Sequence, residues 1–259
     1  EELAEERIED IEGFVHSLYL FSNKWDILRP KVRVFNPSLE EDGWVNDATA
    51  IFILQRDMPF LVDSVRILLN RIGIDVQVIK STLLNVVRDE EGKLLDLLAT
   101  ADDPNSRPEA LIFIDIDLHT STETLQTLEH EIVDVLQDVE VVTDDFQPMT
   151  ERVNKVITEV RTNPGGLPEE DVHELASFLE WLRDGAFIFH GVAEFKLLKG
   201  RNNPLLRAEE GQQLGIFRRH HLGDEKTPLS SMSAGIQAFY EGDAPLAFTK
   251  SSCRSKVHR

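Results

Sequence analysis

The sequence predicts an α+β fold whose first half follows the order βαββαβ, the order of a ferredoxin-like unit. Two stretches carry this prediction. Residues 50–75 combine a short apolar run, a turn and an amphipathic helix, and residues 110–119 form the clearest strand of the chain. A hairpin lies between the two stretches and a second amphipathic helix follows them. A helical connector and a strand-rich second segment complete the predicted architecture.

The first elements in chain order are a helix and a short strand. Residues 3–21 are predicted as a helix with one apolar face, formed by Ile8, Ile11, Val15, Leu18 and Tyr19. Lys31–Phe35 is predicted as a strand, because Pro30 and Pro37 bound a β-favouring run.

The central segment begins with residues 50–54, an apolar run that suits a buried strand. Asp57 stands where a helix N-cap is expected, and Pro59 falls in the predicted first turn, where its missing N–H costs nothing. Apolar side chains then recur at helical spacing and form one stripe: Leu61, Val65, Leu68, Leu69 and Ile72. Gly73 predicts the end of this helix.

The predicted sheet continues through residues 75–88, a turn at 89–92 and a returning arm at 93–99. In residues 110–119 the side chains alternate between two faces. Ile112, Ile114, Ile116 and Leu118 form one face, and Leu111, Phe113, Asp115 and Asp117 form the other. We expect the helices to cover the first face and to leave the second face open.

The remaining elements are mostly helical. Ser121 is predicted to cap a helix with the buried stripe Leu125, Leu128, Ile132, Val135 and Leu136. Residues 140–143 are predicted as the final strand of the unit. Helices at 148–162 and 167–184 follow, separated by a break at 163–166. The predicted division is therefore 1–147, 148–185 for the helical connector, and 186–259 for the strand-rich segment.

Composition limits the possible functions. The formal net charge is -20, which disfavours nucleic acid and anionic membranes as partners. No apolar run approaches the roughly 20 residues that a membrane-spanning helix needs, and the acidic first ten residues do not resemble a signal peptide. Cys253 is the single cysteine, so neither an internal disulfide nor a thiolate metal cluster is expected. We expect a cytoplasmic protein.

Several motifs resemble one family. The strand, Asp-x-Pro turn and helix resemble the opening of an ACT domain, a small ligand-binding regulatory module. The longer string at 56–71, Arg-Asp-Met-Pro-Phe-Leu-Val-Asp-Ser-Val-Arg-Ile-Leu-Leu-Asn-Arg, is similar to the N-terminal region of the large bacterial NAD-dependent glutamate dehydrogenases. Residues 178–195, 214–217 and 250–259 resemble later segments of that family in the same order, with Lys256 in place of its usual threonine.

The resemblance implies a non-catalytic regulatory or scaffolding segment of a much longer enzyme. That enzyme oxidatively deaminates L-glutamate to 2-oxoglutarate with NAD, and its other domains and subunits are the implied partners. A PAS-type domain is implied for the strand-rich segment. No Gly-x-Gly-x-x-Gly follows a predicted strand, so we assign no cofactor and no catalytic residue to this chain. The adjacent His220 and His221 are not interpreted as a metal site.

The same resemblance implies two candidate sites. ACT domains bind a small amino acid at the turn, which here comprises Gln55, Arg56, Asp57, Met58, Pro59, Phe60 and Leu61, with Phe60 in place of the usual glycine. A stand-alone amino-acid sensor is therefore the alternative function, and an assembly domain without a ligand is a third. The expected interface comprises Leu111, Phe113, Asp115 and Asp117. We interpret the two aspartates as part of this face rather than as a cation site or an acid pair.

Overall fold

The computed structural model describes residues 8–97, 100, 103–198, 204–209, 211–220 and 226–241. These residues fall into two compact units, which divide between Val139 and Glu140. No helix among them is both long and apolar enough to cross a membrane. The family-like segment at 250–259, including Cys253, and His221 lie outside the described residues.

Unit 1, as far as it is described, is built on a five-stranded antiparallel sheet. Its elements in chain order are α1 (Ile8–Asn23), β1 (Lys31–Phe35), β2 (Thr49–Arg56), α2 (Leu61–Arg71), β3 (Val76–Arg88), β4 (Leu94–Asp96), β5 (Arg107–Ile116) and α3 (Thr122–Asp144). The strands lie in the order β1-β2-β5-β3-β4, and each neighbouring pair is antiparallel. Helix α3 extends past the division between the units.

The central pairing of the predicted sheet is confirmed, because β2 and β5 are direct neighbours with Ile53 opposite Ile112. The predicted final strand at 140–143 is wrong, since those residues continue α3. The edge of the sheet beside β2 is occupied by β1, which precedes β2 in the chain. The predicted cap of α3 is confirmed, because the Ser121 hydroxyl oxygen accepts a hydrogen bond from the Thr124 N–H at 3.3 Å.

Both faces of this sheet bury apolar side chains. One face packs against α2 and α3 through Ile112, Ile114 and Ile116, as predicted. The second face, predicted to be open, is covered by α1 and by the chain before β2. Its core comprises Phe21, Trp25, Phe35, Trp44, Phe52, Leu111 and Phe113, with Phe14 and Leu18 partly buried against them.

Helix α1 therefore contacts the sheet through a face other than the predicted one. The Phe14 ring lies 5.0 Å from the Phe113 ring and 5.9 Å from the Phe52 ring, centroid to centroid. Val15 and Tyr19, which belong to the predicted stripe, are exposed. The prediction of an open sheet face is wrong because this helix occupies it.

A buried ion pair connects α1, β3 and β5. The Arg88 guanidinium donates to both carboxylate oxygens of Glu109, at 2.7 and 2.8 Å. It also donates to the carbonyl oxygens of Gly92 in the hairpin and Ser22 in α1, at 2.9 and 3.0 Å. The two charged side chains are only 7% and 2% exposed. Because every contact is made inside unit 1, we interpret this group as structural.

Unit 2 combines helices with short strands: α4 (Phe146–Thr162), α5 (Glu169–Trp181), β6 (Gly191–Val192), β7 (Phe195–Leu198), β8 (Leu205–Ala208), β9 (Leu214–Gly215), α6 (Ile216–Arg219), β10 (Thr227–Pro228) and α7 (Ala234–Glu241). The strands form a β10-β8-β7 sheet and a β6-β9 pair. The predicted break between α4 and α5 is confirmed. Helix α5 ends at Trp181, earlier than predicted, and a π-helical turn (Leu182–Ala186) follows it.

The family-like motif at 214–217 has a structural role in unit 2. The Gly215 N–H donates to the buried Asp145 carboxylate at 2.7 Å, and the Arg218 guanidinium lies 3.3 Å from the same oxygen. Gly215 has a φ of 63°, and a Cβ at this position would lie 2.2 Å from the His190 carbonyl oxygen. Glycine is therefore required here by both conformation and space.

Candidate functional site

The predicted ligand turn lies at one end of the sheet, between β2 and α2. Gln55 is buried on β2, directly opposite Ala110 of β5. The Asp57 N–H donates to the Pro108 carbonyl oxygen at 3.1 Å. This bond attaches the turn to the beginning of β5. Pro59 is exposed at the tip of the turn.

Helix α2 begins after Phe60 and not after Asp57. Phe60 has a φ of 72°, and it is the one non-glycine residue with a positive φ in the described parts of the chain. The Ser64 N–H donates to the Phe60 carbonyl oxygen at 3.0 Å, while no side chain caps the helix. The prediction that Asp57 caps α2 is wrong, because the turn continues for three residues before the helix begins.

A cavity of about 380 Å³ lies between this turn and β3. The turn and the first residues of α2 contribute Asp57, Met58, Phe60, Leu61, Val62 and Asp63 to its wall. Strand β3 contributes Ser81, Thr82 and Leu83, and β5 contributes Ala110 and Ile112. Phe60 forms part of the cavity wall but does not fill the cavity.

The lining of this cavity suits a small zwitterion. Its polar residues include Asp57, Asp63 and Ser81, whereas Thr82 is opposite Leu111 and its side chain therefore points to the other face of the sheet. Carboxylates favour a bound ammonium group. The first N–H groups of a helix have no intrahelical acceptor, so those of α2 offer donors for a carboxylate. An α-amino acid carries both of the groups that these donors and acceptors require.

The buried amide of Gln55 is close to this region of the sheet. The residue is 1% exposed, and its Nε2 has no hydrogen-bond partner among the described residues. A buried donor without an acceptor is destabilising. Gln55 does not line the cavity itself, but its neighbour across the strand pair, Ala110, does.

The structure brings together four of the seven predicted ligand residues: Asp57, Met58, Phe60 and Leu61 line the cavity. Gln55, Arg56 and Pro59 do not. The contributions of β3 and β5 were not predicted. Only the strand register reveals them, because it places Leu83 opposite Ala110 and Ser81 opposite Ile112.

The four predicted interface residues do not form one exposed patch. Leu111 and Phe113 are only 7% and 8% exposed because α1 covers them. The prediction that these two side chains are open to contact with other subunits is therefore wrong. Asp115 accepts a hydrogen bond from the Asn46 amide at 2.8 Å, and Asp117 accepts one from the Gln77 amide at 2.9 Å. The two carboxylates thus bind different amides, and a contact through them stays a prediction.

The antiparallel sheet with helices on both of its faces makes unit 1 an α+β domain. The sequence profile of the family described as "Glutamate dehydrogenase, ACT1 domain" matches residues 1–132. Because this match covers half of the chain, the chain belongs to the glutamate dehydrogenase ACT1 family.

Three relatives are NAD-specific glutamate dehydrogenases. The Halomonas elongata protein is 33% identical over 262 residues, and the Pseudomonas aeruginosa protein is 32% identical over 260 residues. Each alignment covers 100% of this chain but 16% of the relative. The Mycobacterium tuberculosis protein is 27% identical over 160 residues, which are 61% of this chain and 10% of the relative. The chain thus spans about a sixth of the length of the first two relatives, and corresponds to their N-terminal region.

Proposed function

We propose that this chain is a non-catalytic regulatory and scaffolding segment of a large NAD-dependent glutamate dehydrogenase. The supporting observation is the similarity of the whole chain to the N-terminal region of such enzymes, together with the ACT1 match. In this proposal the parent enzyme oxidatively deaminates L-glutamate to 2-oxoglutarate in the cytoplasm. NAD binds outside this segment, and the partners are other domains and subunits of the oligomer.

Two finer assignments belong to the same proposal. Unit 1 is a ferredoxin-like ACT domain in which β1 replaces the last strand, an arrangement supported by its place beside β2. The strand-rich part of unit 2 is the beginning of a PAS-type domain. The β10-β8-β7 sheet and the β6-β9 pair support this assignment.

The test compares three proteins: this chain, the full parent enzyme, and the parent without residues 1–259. We expect this chain alone not to reduce NAD with glutamate. We expect the truncated parent to retain chemistry at its active site but to change its oligomer size or its response to effectors. NAD reduction by this chain, or a truncated parent unchanged in assembly and response, would contradict the proposal.

The cavity beside the turn favours a second candidate function, binding of a small amino acid. Calorimetric titration of this chain with a panel of amino acids tests it. Asp57→Ala removes a carboxylate of the cavity and should weaken binding by about tenfold or more, since a charged hydrogen bond contributes about 1.5–3 kcal/mol. Asp47→Ala, at an exposed position outside the cavity, is the matched control. If no amino acid binds, an assembly domain without a ligand is the remaining interpretation.

A further inference from the structure

Phe60 combines a backbone conformation that suits glycine with a bulky side chain. Its φ of 72° and ψ of 7° lie in the left-handed region, where a residue with a Cβ is strained and glycine is not. Residues held in such conformations cluster at ligand-binding turns and switch segments, where the surrounding structure maintains them. Glycine at this position would remove the strain and the ring together, so the ring is the part of the residue on which a function can depend.

The Phe60 side chain belongs to two surfaces at once. It packs against the core shared with α2 and α3, and it forms part of the wall of the 380 Å³ cavity. This volume is at the lower end of the range of ligand pockets, which is about 300–1,000 Å³. Loss of a large apolar side chain can leave a cavity of about 150 Å³, which is enough to bind benzene. The ring therefore limits the space that the cavity offers to a ligand.

The other walls of the cavity restrict the charge of a ligand. Strands β3 and β5 contribute Leu83, Ala110 and Ile112, together with the Ser81 hydroxyl. Leu83 is opposite Ala110 and Ser81 is opposite Ile112, so these side chains share one face of the sheet. Among the described residues that line the cavity there is no lysine, arginine or histidine. A second carboxylate on the ligand would therefore meet no cation, and the two acidic side chains of the wall would repel it.

We propose that Phe60 determines the specificity of this cavity, which accepts an α-amino acid with a short, uncharged side chain, such as alanine or serine. The inference rests on the proposed amino-acid binding and deepens it by naming the class of ligand. The ammonium group binds at Asp57 and Asp63, and the α-carboxylate binds at the first N–H groups of α2, which directly follow Phe60. The ring then limits the length of the ligand side chain. L-glutamate is excluded, so the cavity responds to an amino acid other than the one that the parent enzyme oxidises in the proposed function.

Calorimetric titration of the full 259-residue chain with L-alanine, L-leucine, L-phenylalanine and L-glutamate tests the specificity. We expect L-alanine to bind the unmodified chain about tenfold or more tightly than the other three. In Phe60→Gly the Kd values of L-leucine and L-phenylalanine should fall about tenfold or more relative to that of L-alanine, since one methylene in an apolar pocket changes affinity by about 10–200-fold. L-glutamate should remain weak, because the variant adds no cation. Phe60→Ala removes the ring without the added flexibility of glycine and should show the same change.

The matched control is Leu125→Ala, which shortens an apolar side chain that packs against the same core but does not line the cavity. It should lower the stability of the chain without altering the order of the four affinities. An unchanged order in both Phe60 variants, an equal change in Leu125→Ala, or tight binding of L-glutamate to the unmodified chain overturns the inference and leaves amino-acid binding in place. Absence of binding of all four amino acids to the unmodified chain and to both Phe60 variants overturns the proposed ligand site as well.

Discussion

Phe60 holds a left-handed backbone conformation that glycine adopts without strain. For a residue with a Cβ this conformation costs about 1–2 kcal/mol, and the ring partly offsets the cost by packing against the core shared with α2 and α3. The resemblance indicated glycine at this position, which fits the observed φ. The sequence itself did not predict a left-handed phenylalanine, because bulky residues rarely adopt that conformation. It predicted instead a helix that begins near Asp57.

The strain at Phe60 can be separated from the packing of its ring. Phe60→Gly and Phe60→Ala both remove the ring, but only glycine relieves the backbone, so we expect the glycine variant to be more stable by about 1 kcal/mol. Urea unfolding measures the difference. The control pair is Phe187→Gly and Phe187→Ala, because Phe187 is exposed in an extended conformation with a φ of -137°. At position 187 the glycine variant should be no more stable than the alanine variant. If the glycine variant were the more stable one at both positions, backbone strain at Phe60 would not be the cause.

Removal of one partner of the Arg88–Glu109 pair should destabilise the chain more than replacement of both partners by apolar residues. Arg88→Met leaves the Glu109 carboxylate buried without its cation, and removal of one partner of a buried pair costs about 3–5 kcal/mol. The double variant Arg88→Met, Glu109→Leu removes both charges and should be more stable than the single variant. Urea unfolding of the two variants and the unmodified chain measures both effects. A double variant no more stable than the single one would show that the Gly92 and Ser22 contacts dominate.

At the scale of elements, the alternation of side chains in β5 correctly predicted which face of the sheet the helices α2 and α3 cover. The evidence that the other face is also buried lies in β2. Ile112, Ile114 and Ile116 lie on the helix-covered face, as the alternation indicated. Residues 50–54 form an uninterrupted apolar run, which is typical of a strand buried on both faces, and all of them are buried. That run argues against an open face. It does not identify α1 as the cover, because the contact joins residues far apart in sequence.

Helix α3 shows why the final strand was mispredicted. The run Val141-Val142-Thr143 has high β-propensity, which favours a strand locally. The helical spacing of the buried stripe nevertheless continues through Val135, Val139 and Val142, all of which are buried. Burial of such a stripe outweighs intrinsic propensity differences below about 0.7 kcal/mol per residue. The spacing was available in the sequence, whereas the strand that fills the sheet edge, β1, was not identifiable from it.

Phe113→Asp tests whether α1 covers the second face of the sheet. On an open face this change would leave unit 1 folded. In the observed structure Phe113 is 8% exposed, between Phe14, Trp44 and Phe52, so we expect a loss of several kcal/mol from burial of a carboxylate without a partner. Near-ultraviolet circular dichroism and urea unfolding measure this loss of packing and stability. Leu28→Asp, at an exposed position, is the control, and a Phe113→Asp chain as stable as that control would refute the covered face.

At the scale of the whole molecule, the candidate cavity depends on parts of the chain that only the folded sheet brings together. Asp57 and Phe60 were identified by the resemblance of the turn. Ser81 and Ala110 are about 20 and 50 residues distant from it in the sequence, and they line the cavity because of the β3–β5 register. Register depends on hairpin geometry and on the opposing strand. A pattern along one strand therefore predicts the faces of that strand but not its neighbours.

The net charge of -20 makes self-association of the chain sensitive to salt. Two copies of this chain repel each other through their acidic surfaces, and the screening length falls from about 30 Å at 0.01 M salt to about 8 Å at 0.15 M. Hydrogen bonds and apolar contacts between two copies are screened little by salt. We therefore expect the Kd for self-association of this chain, measured by sedimentation, to decrease as sodium chloride is raised over this range and then to level off. A dimer that weakens as salt is added would instead indicate that ion pairs hold the two copies together, because only attractive charges lose strength on screening.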